Sequence, residues 1–262
     1  MKPTLGMVVA MASEVRAVLG RKSRASNNEQ RVWHQHLRDD SHLIVTCAGI
    51  GAENALSAAR GLISEGVNAL ASIGLSGGLD PGLKNGHIVI AVNLLQFEDE
   101  TIKGPWHATA AGVALARDSL IAEGLPVHCG TTLTSARAIL SCDHKESLFR
   151  QTQALAVDME SAFVARTAQV ENIPFFSLRV ICDPAQATVP RELSMCLDHN
   201  GNVRLQPVFR NLARRPAMVF DLLRLGRYYA VARSALRAAW QVQIKNKLPR
   251  ELMVPTDRLR RS

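Results

Sequence analysis

The chain has 262 residues, 47% of them hydrophobic, with 31 Lys/Arg against 23 Asp/Glu. That length suits one large α/β domain, or one domain with an appendage, and no apolar run reaches the roughly 18–20 residues that a membrane-spanning helix needs. The charge is uneven: residues 204–262 hold 14 Lys/Arg and 3 Asp/Glu, residues 1–203 hold 17 and 20, so the basicity belongs to the C-terminal part.

In chain order, residues 1–15 carry a single Lys and a short apolar stretch that ends in Ala10-Met11-Ala12, a faint likeness to a signal peptide, with the apolar run at 4–10 inside it. Glu14 and Arg16 follow at once and open an amphipathic helix, so a first β-strand is the better reading. Residues 42–47, 69–73, 87–92, 127–133 and 175–181 are short β-rich apolar runs. Helix-period segments lie between several of them, at 52–65, 111–123, 144–153 and 159–170. Asp80-Pro81-Gly82 and Asn85-Gly86 punctuate the joints. Alternation of this kind predicts an α/β fold, a sheet with helices on both faces. Sites in such folds sit beyond the carboxyl ends of strands. After a polar stretch at 190–201, Met218, Leu222, Leu225, Tyr229, Ala232, Leu236 and Trp240 step by three or four as one helical stripe. Arg215, Arg224, Arg227, Arg233 and Arg237 lie around it, and Pro216 suits an early helical position.

Chemistry-bearing residues gather at the ends of these runs. Glu14 could take a proton from water held within hydrogen-bond reach; complementing a helix dipole is its plain structural account. In residues 47–55, CAGIGAENA, Gly49 and Gly51 permit a tight turn or a close backbone approach to a ligand. Asn54 stands where a dinucleotide fingerprint needs its third glycine, which argues against NAD. Residues 74–79, GLSGGL, offer amides and the Ser76 hydroxyl, or only a turn. Val157-Asp158-Met159-Glu160 places Glu160 at the mouth of a helix, as a cap or as an acceptor of sugar hydroxyls. Arg179 and Asp183 end an apolar run four residues apart and so share a strand face. They are either a buried ion pair or an ordering cation beside a proton donor. An Asp with the ordinary pKa of about 3.9 is ionised at neutral pH, so a donor role requires a site that raises it. The five cysteines (Cys47, Cys129, Cys142, Cys182, Cys196) are odd in number and widely spaced. They read as reduced, mostly buried thiols, with no metal site.

The pair Val157-Asp158-Met159-Glu160 and Arg179-x-x-x-Asp183 resembles the signature of the purine nucleoside phosphorylase and nucleosidase superfamily. Met11-Ala-Ser-Glu14, the 47–55 segment and the 74–79 loop resemble further segments of its methylthioadenosine/S-adenosylhomocysteine nucleosidases. The resemblance spans residues 6–183 and implies a mixed central sheet flanked by helices in three layers. It also implies cleavage of a ribose N-glycosidic bond, with Glu14 activating water and Asp183 protonating the departing base. Glu160 and Met159 would hold the ribose, with Ser76, Gly77 and Arg179 completing substrate binding. The family's loop serine is replaced by Leu75, and the purine-wall segment matches poorly at residues 134–139, so no base-stacking residue is assigned. No cofactor is implied, only inorganic phosphate as co-substrate if the reaction is phosphorolytic.

A body at 1–203 with a basic amphipathic extension at 204–262 is similar to the hopanoid-associated phosphorylase group of bacteria. That likeness implies adenosylhopane as substrate, a cytoplasmic homo-oligomer, and peripheral attachment to the inner membrane through the extension. Three placements of the extension stay open: on its own domain, on a subunit partner, or in a membrane interface. Nucleic-acid binding is disfavoured, because basic charge around a large apolar stripe is lipid-like. Glu14 favours water as the nucleophile; Arg16 and Arg137 are the nearby candidates for phosphate. A catalytically idle nucleoside-binding scaffold attached to a membrane is the alternative from another class.

Overall fold

The first apolar run forms β1 (Thr4–Val9), hydrogen-bonded on both edges to parallel strands, β3 (His42–Cys47) and β4 (Ala69–Gly78). A strand so placed is buried on both faces, which is why it reads as continuous apolar sequence. The computed structural model describes residues 2–20, 31–190 and 218–253. β2 (Val32–His36) runs antiparallel along the outer edge of β3. The rest of the sheet comprises β5 (Ile88–Glu98), β6 (Thr101–His107), β7 (Val127–Ser135), β8 (Ala156–Asp158) and β9 (Phe175–Asp183). The order is β2-β3-β1-β4-β8-β7-β5-β6, and β9 pairs with both β4 and β5. β4, β9, β5, β7 and β8 therefore close into a ring of pairings. The sheet is mixed and flanked by helices, as expected.

Strand alternation sorts the core into two layers. Leu5, Met7 and Val9 of β1 join Phe176, Leu178 and Val180 of β9 on one face. They pack with α1 (Ala12–Leu19) and α3 (Ala110–Ala122). Val8 and Leu70 face the other way, onto α2 (Ala52–Ser64) and α5 (Ser161–Val170). A smaller cluster, with Leu133, Leu148 and Val157, lies beneath α4 (Cys142–Thr152).

The C-terminal stripe forms α6 (Met218–Lys245), followed by the short α7 (Leu248–Glu251). Ala232, Leu236, Ala239 and Trp240 of α6 belong to the same core cluster as β1 and β9. Its second half has thus taken one of the open placements, packing on its own domain. Its first half is looser: Phe220 is 75% and Leu223 66% exposed. Arg215 and Pro216 lie outside the described residues, as do 204–217 as a whole, 254–262, and the Met218 side chain. No helix of the described residues is long and apolar enough to cross a membrane. The expectation of mostly buried thiols needs correction. Among the four described cysteines only Cys47 is buried, and Cys129 is exposed.

Trp240 is 1% exposed, so Trp240→Ala should lower the unfolding free energy by about 3–5 kcal/mol in urea titrations. Leu223→Ala should change it by less than about 0.5 kcal/mol. A Trp240 effect as small as that of Leu223 would mean that α6 is not part of the cooperative core.

Candidate active site

β4 and β9 end at one rim of the strand ring, where Gly77 is paired with Asp183 and, on its other side, with Val157 of β8, which starts at this rim and runs antiparallel to β4. Short polar residues replace apolar ones on the α5 side of this rim. Ser72 of β4, Ser177 and Arg179 of β9 and Ser161 of α5 are all buried there. Arg179 donates through Nε to Asp158 Oδ2 at 2.6 Å and through Nη2 to Ser72 Oγ at 2.6 Å and Ser161 Oγ at 2.8 Å. Asp158 ends β8, and its Oδ1 accepts from the Thr134 hydroxyl at 2.7 Å. Burial alone would raise the Asp158 pKa, but the Arg179 charge and the hydrogen bonds from Ser161 and Thr134 hold it below the usual carboxylate value.

Two further carboxyls stand against this pair. Glu14, in the first turn of α1, accepts from the Leu75 N–H at 2.7 Å and, closing the turn on itself, from the Met11 N–H at 2.9 Å. Burial pushes its pKa up, opposed by the Leu75 N–H and by Arg179. Gly74 makes the approach possible, since a Cβ there would collide with Arg179 Nη1 and lie 2.8 Å from Glu14 Oε1. Glu160, at the mouth of α5, accepts from the Gly51 N–H at 2.8 Å and the Met159 N–H at 3.3 Å. Burial first, and the Asp158 carboxylate second, raise its pKa from the usual 4.5 to about 7. Met159 is half-buried beside it. Ser76 lies on the same strand face as Gly74, and its buried Oγ has no hydrogen-bond partner among the described residues. It is a hydroxyl available to a ligand.

Asp183 stands beside this group. Its carboxylate lies 3.3 Å from where a Gly77 Cβ would be, so Gly77 allows that approach. The shared strand face expected for Arg179 and Asp183 is corrected here. The β4–β9 register shifts at Ser76/Gly77, so one extra residue of β9 separates the two pairings. Arg179 consequently packs at Gly74 and Asp183 at Gly77, positions of opposite parity on β4. The cation at Asp183 is Lys145 of α4, with Nζ 2.5 Å from Oδ2. Burial raises the Asp183 pKa, and Lys145 opposes the rise. A small cleft of about 10 Å³, room for about one water, is lined by Asp183, Thr188, Asp221, Arg224, Leu225 and Tyr228 between the end of β9 and the first half of α6.

The structure therefore unites Glu14, Glu160, Arg179 and Ser76 in one buried group and sets Asp183 and Gly77 at its edge. Arg16 and Arg137 are exposed. Sequence reasoning missed two participants. Asp158 sits inside the quoted motif yet is the partner of Arg179. Lys145 is the other, and its only signal is a position three residues before Leu148, on the buried side of α4. No group of three or more His, Cys, Asp or Glu among the described residues is arranged to hold a metal ion.

A model of the Phosphorylase superfamily matches residues 4–214. The chain is 24% identical over 156 residues to the 5′-methylthioadenosine/S-adenosylhomocysteine nucleosidase of Thermotoga maritima, covering 59% of this chain and 71% of that protein. The fold is similar to that of the futalosine hydrolase of Helicobacter pylori strain 26695 (TM-score 0.71, 18% identity, 94% of this chain and 98% of the other). It is also similar to the 5′-methylthioadenosine/S-adenosylhomocysteine nucleosidase of Neisseria meningitidis in complex with methylthio-immucillin-A (TM-score 0.70, 18% identity, 93% and 99%).

Glu160 takes up protons more readily folded than unfolded, so the folded state loses stability as pH rises from about 5 through about 7. Glu160→Gln removes that loss. Its stability relative to wild type should increase by roughly 2–3 kcal/mol between pH 5 and pH 8, read by urea unfolding. Parallel pH profiles for the two proteins would show that Glu160 ionises normally in the fold.

Proposed function

Because the chain belongs to the phosphorylase superfamily, we propose that it cleaves the N-glycosidic bond of a 5′-substituted adenosine and releases adenine. The observation that carries this reading is the gathering of Glu14 and Glu160 around Arg179, with Asp183 at the adjoining strand end. Glu160 accepts hydrogen bonds from the 2′- and 3′-hydroxyls, and its charge favours the oxocarbenium-like state as the bond lengthens. Met159 lies against the sugar, and the Ser76 hydroxyl and the Gly77 backbone face the ligand. Glu14 takes a proton from water as its oxygen bonds to C1′, a role favoured by a raised pKa. The C1′–N9 electron pair passes to the base, and Asp183 protonates the base as it leaves. Arg179 orders this group through Asp158 and serves no anion of its own. Arg179 being committed in this way, and Arg16 and Arg137 being exposed, favours water over phosphate as the nucleophile.

The finer reading is that the 5′ substituent is a bulky lipid, the adenosylhopane implied by the sequence resemblance. It is supported by Val219, Phe220 and Leu223, exposed on the first turns of α6, while Leu225 and Tyr228 of the same helix line the cleft at Asp183. With Arg224 and Arg227 beside it, this face suits an anionic membrane surface.

Chromatography of the products formed from 5′-methylthioadenosine, futalosine and a lipid-linked adenosine, with and without phosphate, tests the activity. Base release without phosphate is expected, and Asp183→Asn should slow it by about 10²–10⁴-fold while the protein still melts cooperatively. Equal rates would remove Asp183 from the mechanism, and tight binding with no release would leave a scaffold. Replacing both Phe220 and Leu223 by Asp should reduce flotation with phosphatidylglycerol vesicles and leave turnover of 5′-methylthioadenosine unchanged. Undiminished flotation would remove the lipid contact from this face.

A further inference from the structure

One buried cation takes no part in the steps above. Lys145 is fully buried on α4. Its Nζ donates to Asp183 Oδ2 at 2.5 Å and to the Pro184 and Ala187 carbonyls at 3.0 Å each. A neutral amine has two N–H bonds, whereas these three acceptors use the three of an ammonium. A buried ammonium needs a carboxylate partner, and Asp183 is the one it touches. The carboxyl also accepts from its own backbone N–H, and Oδ1 takes no side-chain hydrogen bond among the described residues.

We infer that Lys145 is a positioning residue for Asp183: it anchors Oδ2, leaves Oδ1 for the purine, and strengthens Asp183 as an acid by stabilising the carboxylate left after proton transfer. This rests on reading Asp183 as the proton donor. Asp183 takes its proton from solvent before each turnover. The proton passes from Oδ1 to the base nitrogen as the C1′–N9 electron pair moves onto the base. Asp221, Arg224 and Tyr228 of α6 also face Asp183 across the cleft, and Cys182 adjoins it on β9. Asp221 and Arg224 pair with each other at 2.9 Å, which leaves Lys145 as the charge in contact. The opposing pulls of burial and Lys145 on Asp183 agree with this assignment.

The same lysine also ties α4 to the segment after β9, so a loss of activity alone would not separate electrostatics from structure. The separating measurement is the ¹³C titration of the Asp183 carboxyl, assigned by its absence in Asp183→Asn and read without substrate. In Lys145→Met and Lys145→Gln the titration should move up by about 1–3 pH units. The alkaline limb of the kcat–pH profile for base release should follow it, and Lys145→Arg should restore both. A titration unmoved in folded neutral variants, or failure of both neutral variants to fold, would make Lys145 structural and overturn the proposal. Absence of base release from wild type would sink the nucleosidase reading while the carboxyl titration still reported on the Lys145–Asp183 contact, so the two failures are told apart.

Discussion

One guanidinium answers to three carboxyls that are all withdrawn from water. Arg179, Asp158, Glu14 and Glu160 are nearly fully buried, and ionising all three acids around a single cation would leave uncompensated charge in a poorly polarisable medium. Geometry allots the cation to Asp158, which also collects hydrogen bonds from Thr134 and Ser161 and stays ionised. Glu14 and Glu160 receive backbone N–H groups and no direct ion pair with Arg179, and burial, the larger effect, holds both with raised proton affinity. Glu160, raised to about 7, suits proton exchange near neutrality, which an ordinary surface glutamate cannot offer. The serines around Arg179 and the bare Cα of Gly74 follow from the same need, since a guanidinium at this depth requires small donors and acceptors and room to lie flat.

The closed ring of strands makes that allotment possible. β8 contributes only three residues, yet it links β4 to β7 and sets Asp158 and Glu160 at the rim. β9 runs parallel to β4 and antiparallel to β5, which brings Arg179 and Asp183 to the same rim from the chain's other side. The bulge between Ile181 and Asp183 then separates the two cations' territories. Arg179 serves the end where Glu14 and Glu160 lie, and Lys145 serves Asp183. A regular strand would have put Arg179 and Asp183 on one face, and the two functions would have competed for one charge.

Much of this was legible because the relevant physics is local. The parallel strands β1, β3 and β4 are buried on both faces and so appear as apolar runs. Glu14 and Glu160 announce themselves by standing where apolar sequence gives way to a helix. The strands that escaped notice carry no such signal. β6 is an exposed edge with Gly104-Pro105 inside it, β2 carries exposed histidines, and β8 is too short to show alternation. Lys145 and the Asp158–Arg179 pair were hidden for another reason. Charged residues read as surface in a sequence, and only the tertiary fold supplies the partners that let them be buried. The bulge in β9 was equally invisible, because it is defined by pairing with β4 and not by any residue of its own.

The C-terminal helix shows how a uniform sequence pattern can serve two physical ends. Its stripe keeps one period throughout, yet burial divides it. Along the stripe Leu222, Leu225 and Tyr229 are half-buried, and Ala232, Leu236 and Trp240 fill the core shared with β1 and β9; Phe220 and Leu223, which lie off the stripe, are exposed. The division falls where the helix crosses the site. Tyr229 bonds through its hydroxyl to Ser13, one residue before Glu14, and the Tyr228 carbonyl accepts from Asn85, whose amide also holds the Cys182 carbonyl. The middle of α6 is thereby tied to the elements that present Glu14 and Asp183, and the anchored second half fixes its direction. The exposed first turns thus project from a helix whose far end is held in the core. That rigidity allows an apolar face to be presented beside the cleft without loosening the acids beneath it.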